Sequence, residues 1–156
     1  MRVVILLLAC VLLLFAGHKG AQADYIGGTR ADIPADSSGE IQVSDQVYFI
    51  FVSKQTRVQI PYERVNLIEY GQKVDRRYLE AVVISPLFML SKKRQHFLTI
   101  GFQDDDGHQQ ALVFKVSKKD IRLTLVTLEA HTGQEVRFQD EEVRFQDEEA
   151  RIAGKG

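Results

Sequence analysis

The stretch Gln46-Val47-Tyr48-Phe49-Ile50-Phe51-Val52, followed by Ser53-Lys54-Gln55-Thr56 and then Arg57-Val58-Gln59-Ile60-Pro61-Tyr62, sets the fold class. Its first part is dense in aromatic and β-branched residues, which fit the half-buried face of a pleated sheet. The four polar residues break the run, and alternation resumes through Val58 and Ile60. This pattern is a β-hairpin. Pro61 has no N–H for a ladder, so the chain is expected to leave the sheet there.

Working outward, Ile41 and Val43 alternate with polar neighbours upstream, after Gly39. Downstream, Glu63-Arg64-Val65-Asn66 reads as a short turn or helical turn and Leu67 to Gly71 as another strand. Phe97 to Phe102 and Ala111 to Val116 are two more, joined by Gln103-Asp104-Asp105-Asp106-Gly107-His108, whose Asp-Gly pair is a strong turn signal. A helix then follows. Ser117 is its N-cap, with Asp120 three residues on in a weak capping box. Ile121, Leu125 and Leu128 recur at helical spacing, Val126 and Leu123 broaden the stripe, and Gly133 supplies a left-handed stop. The expected fold is mostly β with one C-terminal α-helix, over residues 39–133.

Residues 134–156 read as an acidic, exposed tail carrying a duplication: Glu135 to Glu141 (Glu-Val-Arg-Phe-Gln-Asp-Glu) recurs as Glu142 to Glu148. One pair of heptads is too few for a coiled coil. Val136 and Phe138 alternate as in a strand, as do Val143 and Phe145.

At the other end, Arg2, the apolar run Val3 to Phe15 and the small-x-small site Ala21-Gln22-Ala23 form a secretory signal pattern, with cleavage expected after Ala23. The run is shorter than the about 20 residues that span a bilayer. An uncleaved anchor is the alternative, and a lipoprotein box at Leu7-Leu8-Ala9-Cys10 sits too early. Asp24 to Ser38, with Gly27-Gly28, Pro34 and Ser37-Ser38, reads as a flexible leader. The expected location is extracytoplasmic, periplasmic or secreted.

Cys10 is the single cysteine of the 156 residues and leaves with the signal, so the remaining chain has no thiol chemistry and relies on a hydrophobic core. Loss of Arg2 and Lys19 leaves 18 basic against 21 acidic residues, a net charge of −3. Such a balance offers no basic field for nucleic acid.

The strand order, the terminal helix and the segment from Ile60-Pro61-Tyr62 to Glu69-Tyr70-Gly71 together resemble bacterial PH-like domains of the GRAM and pleckstrin-homology type. Lys92-Lys93-Arg94-Gln95-His96-Phe97-Leu98-Thr99-Ile100 looks like their return strand, and Ala111 to Val116 like the strand feeding their helix. The resemblance implies a split barrel of two packed antiparallel sheets, one end closed by the helix. It also implies, for some members, inositol-lipid contact through basic residues around the first hairpin. The matching turn carries Lys54 and Arg57. A fold of this kind hosts many functions, so it assigns none.

No catalytic, metal or cofactor constellation stands out. Asp104-Asp105-Asp106-Gly107-His108 lacks the alternating oxygens and distant glutamate of a calcium loop and reads as a solvated hairpin tip, with loose divalent-ion binding as the alternative. His96, His108 and His131 are not at zinc-ligand spacing. There is no Gly-x-Ser-x-Gly elbow and no glycine-rich phosphate loop. The candidate interaction surface is Val82 to Leu90 with its basic flanks: Leu87, Phe88, Met89 and Leu90 as an apolar patch, and Arg76, Arg77, Lys92, Lys93 and Arg94 as its rim. That stretch either covers an open end of the barrel, dips into an anionic membrane, or meets a protein partner. The reading is a non-catalytic binding or scaffolding module for a protein or membrane surface. The alternative is a small extracytoplasmic hydrolase or ligand-binding protein, for which apposed carboxylates such as Glu63 and Glu69 are the candidates.

Overall fold

The hairpin of residues 46–62 forms as β3 (Tyr48–Ser53) and β4 (Arg57–Pro61), paired antiparallel from Tyr48↔Pro61 to Val52↔Arg57. The Ser53 hydroxyl accepts the Thr56 N–H at 3.0 Å, which closes the polar turn. The structure, a computed structural model, describes residues 20–72, 74 and 95–139. Around the hairpin stand β1 (Ala21–Gly28), β2 (Ser37–Gln42), β5 (Val65–Gly71), β6 (His96–Gln103), β7 (Gln109–Val116), helix α1 (Lys118–Thr132) and β8 (Val136–Phe138).

The eight strands among the described residues belong to one ladder of order β4-β3-β2-β1-β7-β6-β5-β8, antiparallel except for the parallel β5–β8 pair. The two sheets expected of a split barrel are thus two halves of one sheet, joined at β1–β7. This sheet must curl. Pro61 and Val65 are linked by the 3-10 turn Tyr62–Arg64, a path of at most about 14 Å, whereas six inter-strand steps of a flat sheet would hold β4 and β5 about 29 Å apart. Side chains from all eight strands and α1 accordingly share one buried core, including Phe49, Phe51, Ile68, Leu98, Phe114 and Leu128.

β1 corrects the sequence reading. The expected flexible leader is a central strand, hydrogen-bonded to β2 on one side and β7 on the other, with Tyr25 and Ile26 each 1% exposed. Only its connection to β2, residues 29–36, is irregular. Tyr25 faces the main core, while Ile26, the extra residue of a bulge between Tyr25 and Gly27, joins Ala111 and Val113 in a second buried cluster. The run Val3 to Phe15 lies outside the described residues. The expected cut after Ala23 falls inside β1, where Ala21 pairs with Ile41 and Ala23 with Val116. A further consequence concerns Lys54 and Arg57: their turn joins the third and fourth strands, not the first and second.

α1 begins at Ser117, whose hydroxyl accepts the Lys119 N–H, and ends at Gly133 in the left-handed region at φ 69°. Its buried face is Ile121, Thr124, Leu125 and Leu128, set against β1, β5 and the 3-10 turn. Leu123 and Val126 do not broaden that face; they are 61% and 46% exposed. At 100° per residue Leu123 lies about 200° round from Ile121, on the far side of the helix.

The tail is corrected too. Its first heptad is not a free exposed segment: Val136 is buried in the core, and β8 extends the sheet beside β5. Asp140, Glu141 and the second heptad lie outside the described residues.

Candidate functional site

A groove of about 760 Å³ runs between α1 and the strand ends at the start of β1 and the end of β2. Its helical wall is a stripe at helical spacing, Asp120, Leu123, Thr127 and His131. The facing wall includes Ala21 and Val43. The wall is shaped locally: Asp45 Oδ1 accepts the N–H groups of Val47 and Tyr48, both at 2.8 Å, and fixes the connection into β3. Those bonds, Val47 first, hold the Asp45 carboxyl below the usual carboxylate range. At the far end His131 stacks flat on Tyr62, with ring centroids 4.6 Å apart and planes 4° apart. Tyr62 is buried, and its hydroxyl has no hydrogen-bond partner among the described residues. Burial, with the charge of Asp45 adding to it, pushes that phenol up to about 12.

Chemically, the groove offers an apolar side chain and ionisable groups set apart from one another. A carboxylate and an imidazole do line it, but Asp120 and His131 stand eleven residues apart on one helix, about 16 Å along its axis. General acid and base must both reach the reacting atoms within hydrogen-bond distance. The Thr127 hydroxyl is already committed, donating to Leu123 O at 2.8 Å. What the groove presents is Leu123, with Val126 one turn further on the exposed face of α1.

The other sequence candidates separate. Glu63 is exposed on the 3-10 turn, whereas Glu69 is buried four residues into β5, about 13 Å past its start, so the two carboxylates are not apposed. His96 opens β6 and stacks on Tyr70, its Nδ1 3.1 Å from the phenol oxygen. Asp104, Asp106 and His108 bring ligand atoms within 4.8 Å of one another at the β6–β7 tip. The Asp104 carboxylate is engaged by that turn: it accepts the N–H groups of Asp106 at 3.0 Å and His108 at 2.8 Å, and the Gln110 amide at 2.8 Å. Partial burial opposes its charge, and these three donors, Gln110 foremost, outweigh it and lower its pKa. Asp105 pairs with Arg64 across the surface. The cluster is a hairpin tip organised by its own carboxylate.

Arg76, Arg77, Leu87, Phe88, Met89, Leu90, Lys92, Lys93 and Arg94 lie outside the described residues. Sequence reasoning missed the groove. Its signal was present in Leu123, which sits off the Ile121-Leu125-Leu128 arc when each residue is placed at 100° intervals.

Among the described residues no helix is long and apolar enough to cross a membrane. Comparison with protein-family models gave no match, and comparison with curated proteins gave none either.

Proposed function

We propose that this chain is a non-catalytic binding module, a PH-like curled barrel that holds a protein partner along the α1 groove and acts outside the cytoplasm. The observation that carries this reading is the 61% exposure of Leu123 in a groove whose ionisable residues are spread along the helix. Leu123 and Val126, one helical turn apart and both exposed, form an apolar patch beside a concave wall, and contiguous patches of this kind serve as docking surfaces. The extracytoplasmic part of the reading rests on Arg2 and the Val3 to Phe15 run, in the uncleaved-anchor form that keeps Ala21 in β1 and in the groove wall. The membrane route rests on Val82 to Leu90 and its basic flanks, and the groove favours protein over lipid because its rim mixes Lys119 with Asp120.

The test places a photo-crosslinking benzoylphenylalanine at position 123, and as a control at exposed Gln59 on β4, in cells producing the full chain. The expected result is a discrete protein adduct from position 123 that is absent from position 59 and lost on Val126→Asp. Equal adducts from both positions, or binding to anionic vesicles that survives Leu123→Asp with no adduct at 123, would overturn the groove assignment.

A further inference from the structure

β8 occupies the β5 edge through a set of contacts that reads sequence. Val136 sits opposite Ile68 and is buried in the main core. Its N–H donates to Glu129 Oε1 at 2.9 Å. Phe138 meets Tyr70 edge to face, with centroids 6.2 Å apart and planes at 90°. The Gln139 N–H donates to Tyr70 O at 3.1 Å. Gly71 makes room for that residue: a Cβ placed there would lie 2.8 Å from the Gln139 Cβ. The edge therefore selects Val-x-Phe-Gln, with a buried β-branched residue, an aromatic two positions on, and a residue passing over a bare glycine.

The chain contains this sequence twice. Val136-Arg137-Phe138-Gln139 recurs as Val143-Arg144-Phe145-Gln146, with the same flanking acids. We propose that the β5 edge is a binding site for an extended Val-x-Phe-Gln segment and that residues 142–148 of the same chain are its second occupant, exchanging with residues 135–141. Every contact named above can be made by either heptad, so the contacts themselves do not choose between them. Linker length does. Thr132 is joined to Val136 by three residues and to Val143 by ten, and the longer closure disfavours the second register on the order of sixfold. A three-residue strand makes few ladder bonds, so its release is among the least costly openings in the sheet. The second register leaves a ten-residue loop at the end of α1 where His131 stands.

The test uses the full chain and compares Val136→Asp, Val143→Asp and the double variant by urea unfolding. Val143→Asp is expected to change nothing. Val136→Asp should lower the folding constant only about sixfold, because the second heptad takes the site, and the double variant should lose far more than the two singles combined. A Val136→Asp loss as large as that of the double variant would overturn the proposal. A second readout needs no destabilised protein: Glu69→Cys is combined with Arg144→Cys, or with Arg137→Cys, in a Cys10→Ser chain. Register pairs Glu69 with Arg137, so both partners should form an intrachain disulfide, the Arg144 pair more slowly. Formation with Arg137 alone, or with Arg144 only between chains, would contradict exchange within one chain.

Discussion

The ring of Phe51 on β3 lies 4.9 Å from the ring of Phe114 on β7, although β2 and β1 stand between those strands in the ladder. Three inter-strand steps of a flat sheet would separate them by about 14 Å. The contact exists because the sheet folds over on itself, and Tyr25, on the intervening strand β1, closes the cluster at 5.7 Å from Phe114.

Phe114→Ala should therefore cost more than an average core truncation. It removes the ring that Tyr25, Phe49 and Phe51 all touch. A loss of about 3–5 kcal/mol is expected in urea unfolding. A loss under about 1 kcal/mol would mean that the two halves of the sheet do not meet there.

Alkaline pH should destabilise the fold. Burial, with the charge of Asp32 adding to it, pushes the Tyr25 phenol up to about 12, and Tyr62 is raised to about 12 as well. A phenol ionises near 10 in the unfolded chain. Because the folded values are raised, the stabilisation is complete below about pH 10 and is lost as pH rises toward 12. The urea midpoint should fall over that window, together with the growth of phenolate absorbance. Tyr62→Phe removes a buried hydroxyl without a partner among the described residues, so it should leave neutral-pH stability equal or higher and flatten the alkaline loss.

The ends of α1 give an additive pair. Ser117→Ala removes the cap on the Lys119 N–H, and Gly133→Ala forces a Cβ into a left-handed residue. Each should cost about 1 kcal/mol. The ends are four turns apart, so the double variant should show the sum in denaturant unfolding.

Leu123→Asp separates surface from core. With Leu123 exposed, its replacement should change stability by less than about 0.5 kcal/mol, whereas Leu128→Asp, buried on the opposite face, should prevent folding. Equal damage from both, measured by thermal melting, would place Leu123 in the core.

Much of this fold can be read from its residues, and the exceptions share a cause. β3, β4 and α1 announce themselves through local signals: an aromatic, β-branched run, a polar four-residue turn, and a helix with serine before it and glycine after. β1 does not. Ala21, Ala23, Gly27 and Gly28 have low strand propensity, and Ala21-Gln22-Ala23 resembles a cleavage site; their burial comes from lying between β2 and β7, which no local pattern encodes. β8 is three residues long: the alternation of Val136 and Phe138 is visible in the sequence, but the same alternation recurs at Val143 and Phe145 among acidic residues, and only pairing beside β5 makes the first of them a buried strand. Leu123 misled because apolar character was read as burial without regard to helical angle. Of the candidate site, the groove wall on α1 was present as residues but not as a surface, since its other wall begins with β1.

The strand that was hardest to foresee carries the account, because β1 joins the halves of the sheet and its start lines the groove. Native-state amide exchange of the full chain, resolved at Ala23, Tyr25 and Ile26, tests it most directly. Protection at these residues equal to that of Leu112 and Phe114 is the predicted result. Exchange at the rate of an unstructured peptide would contradict it.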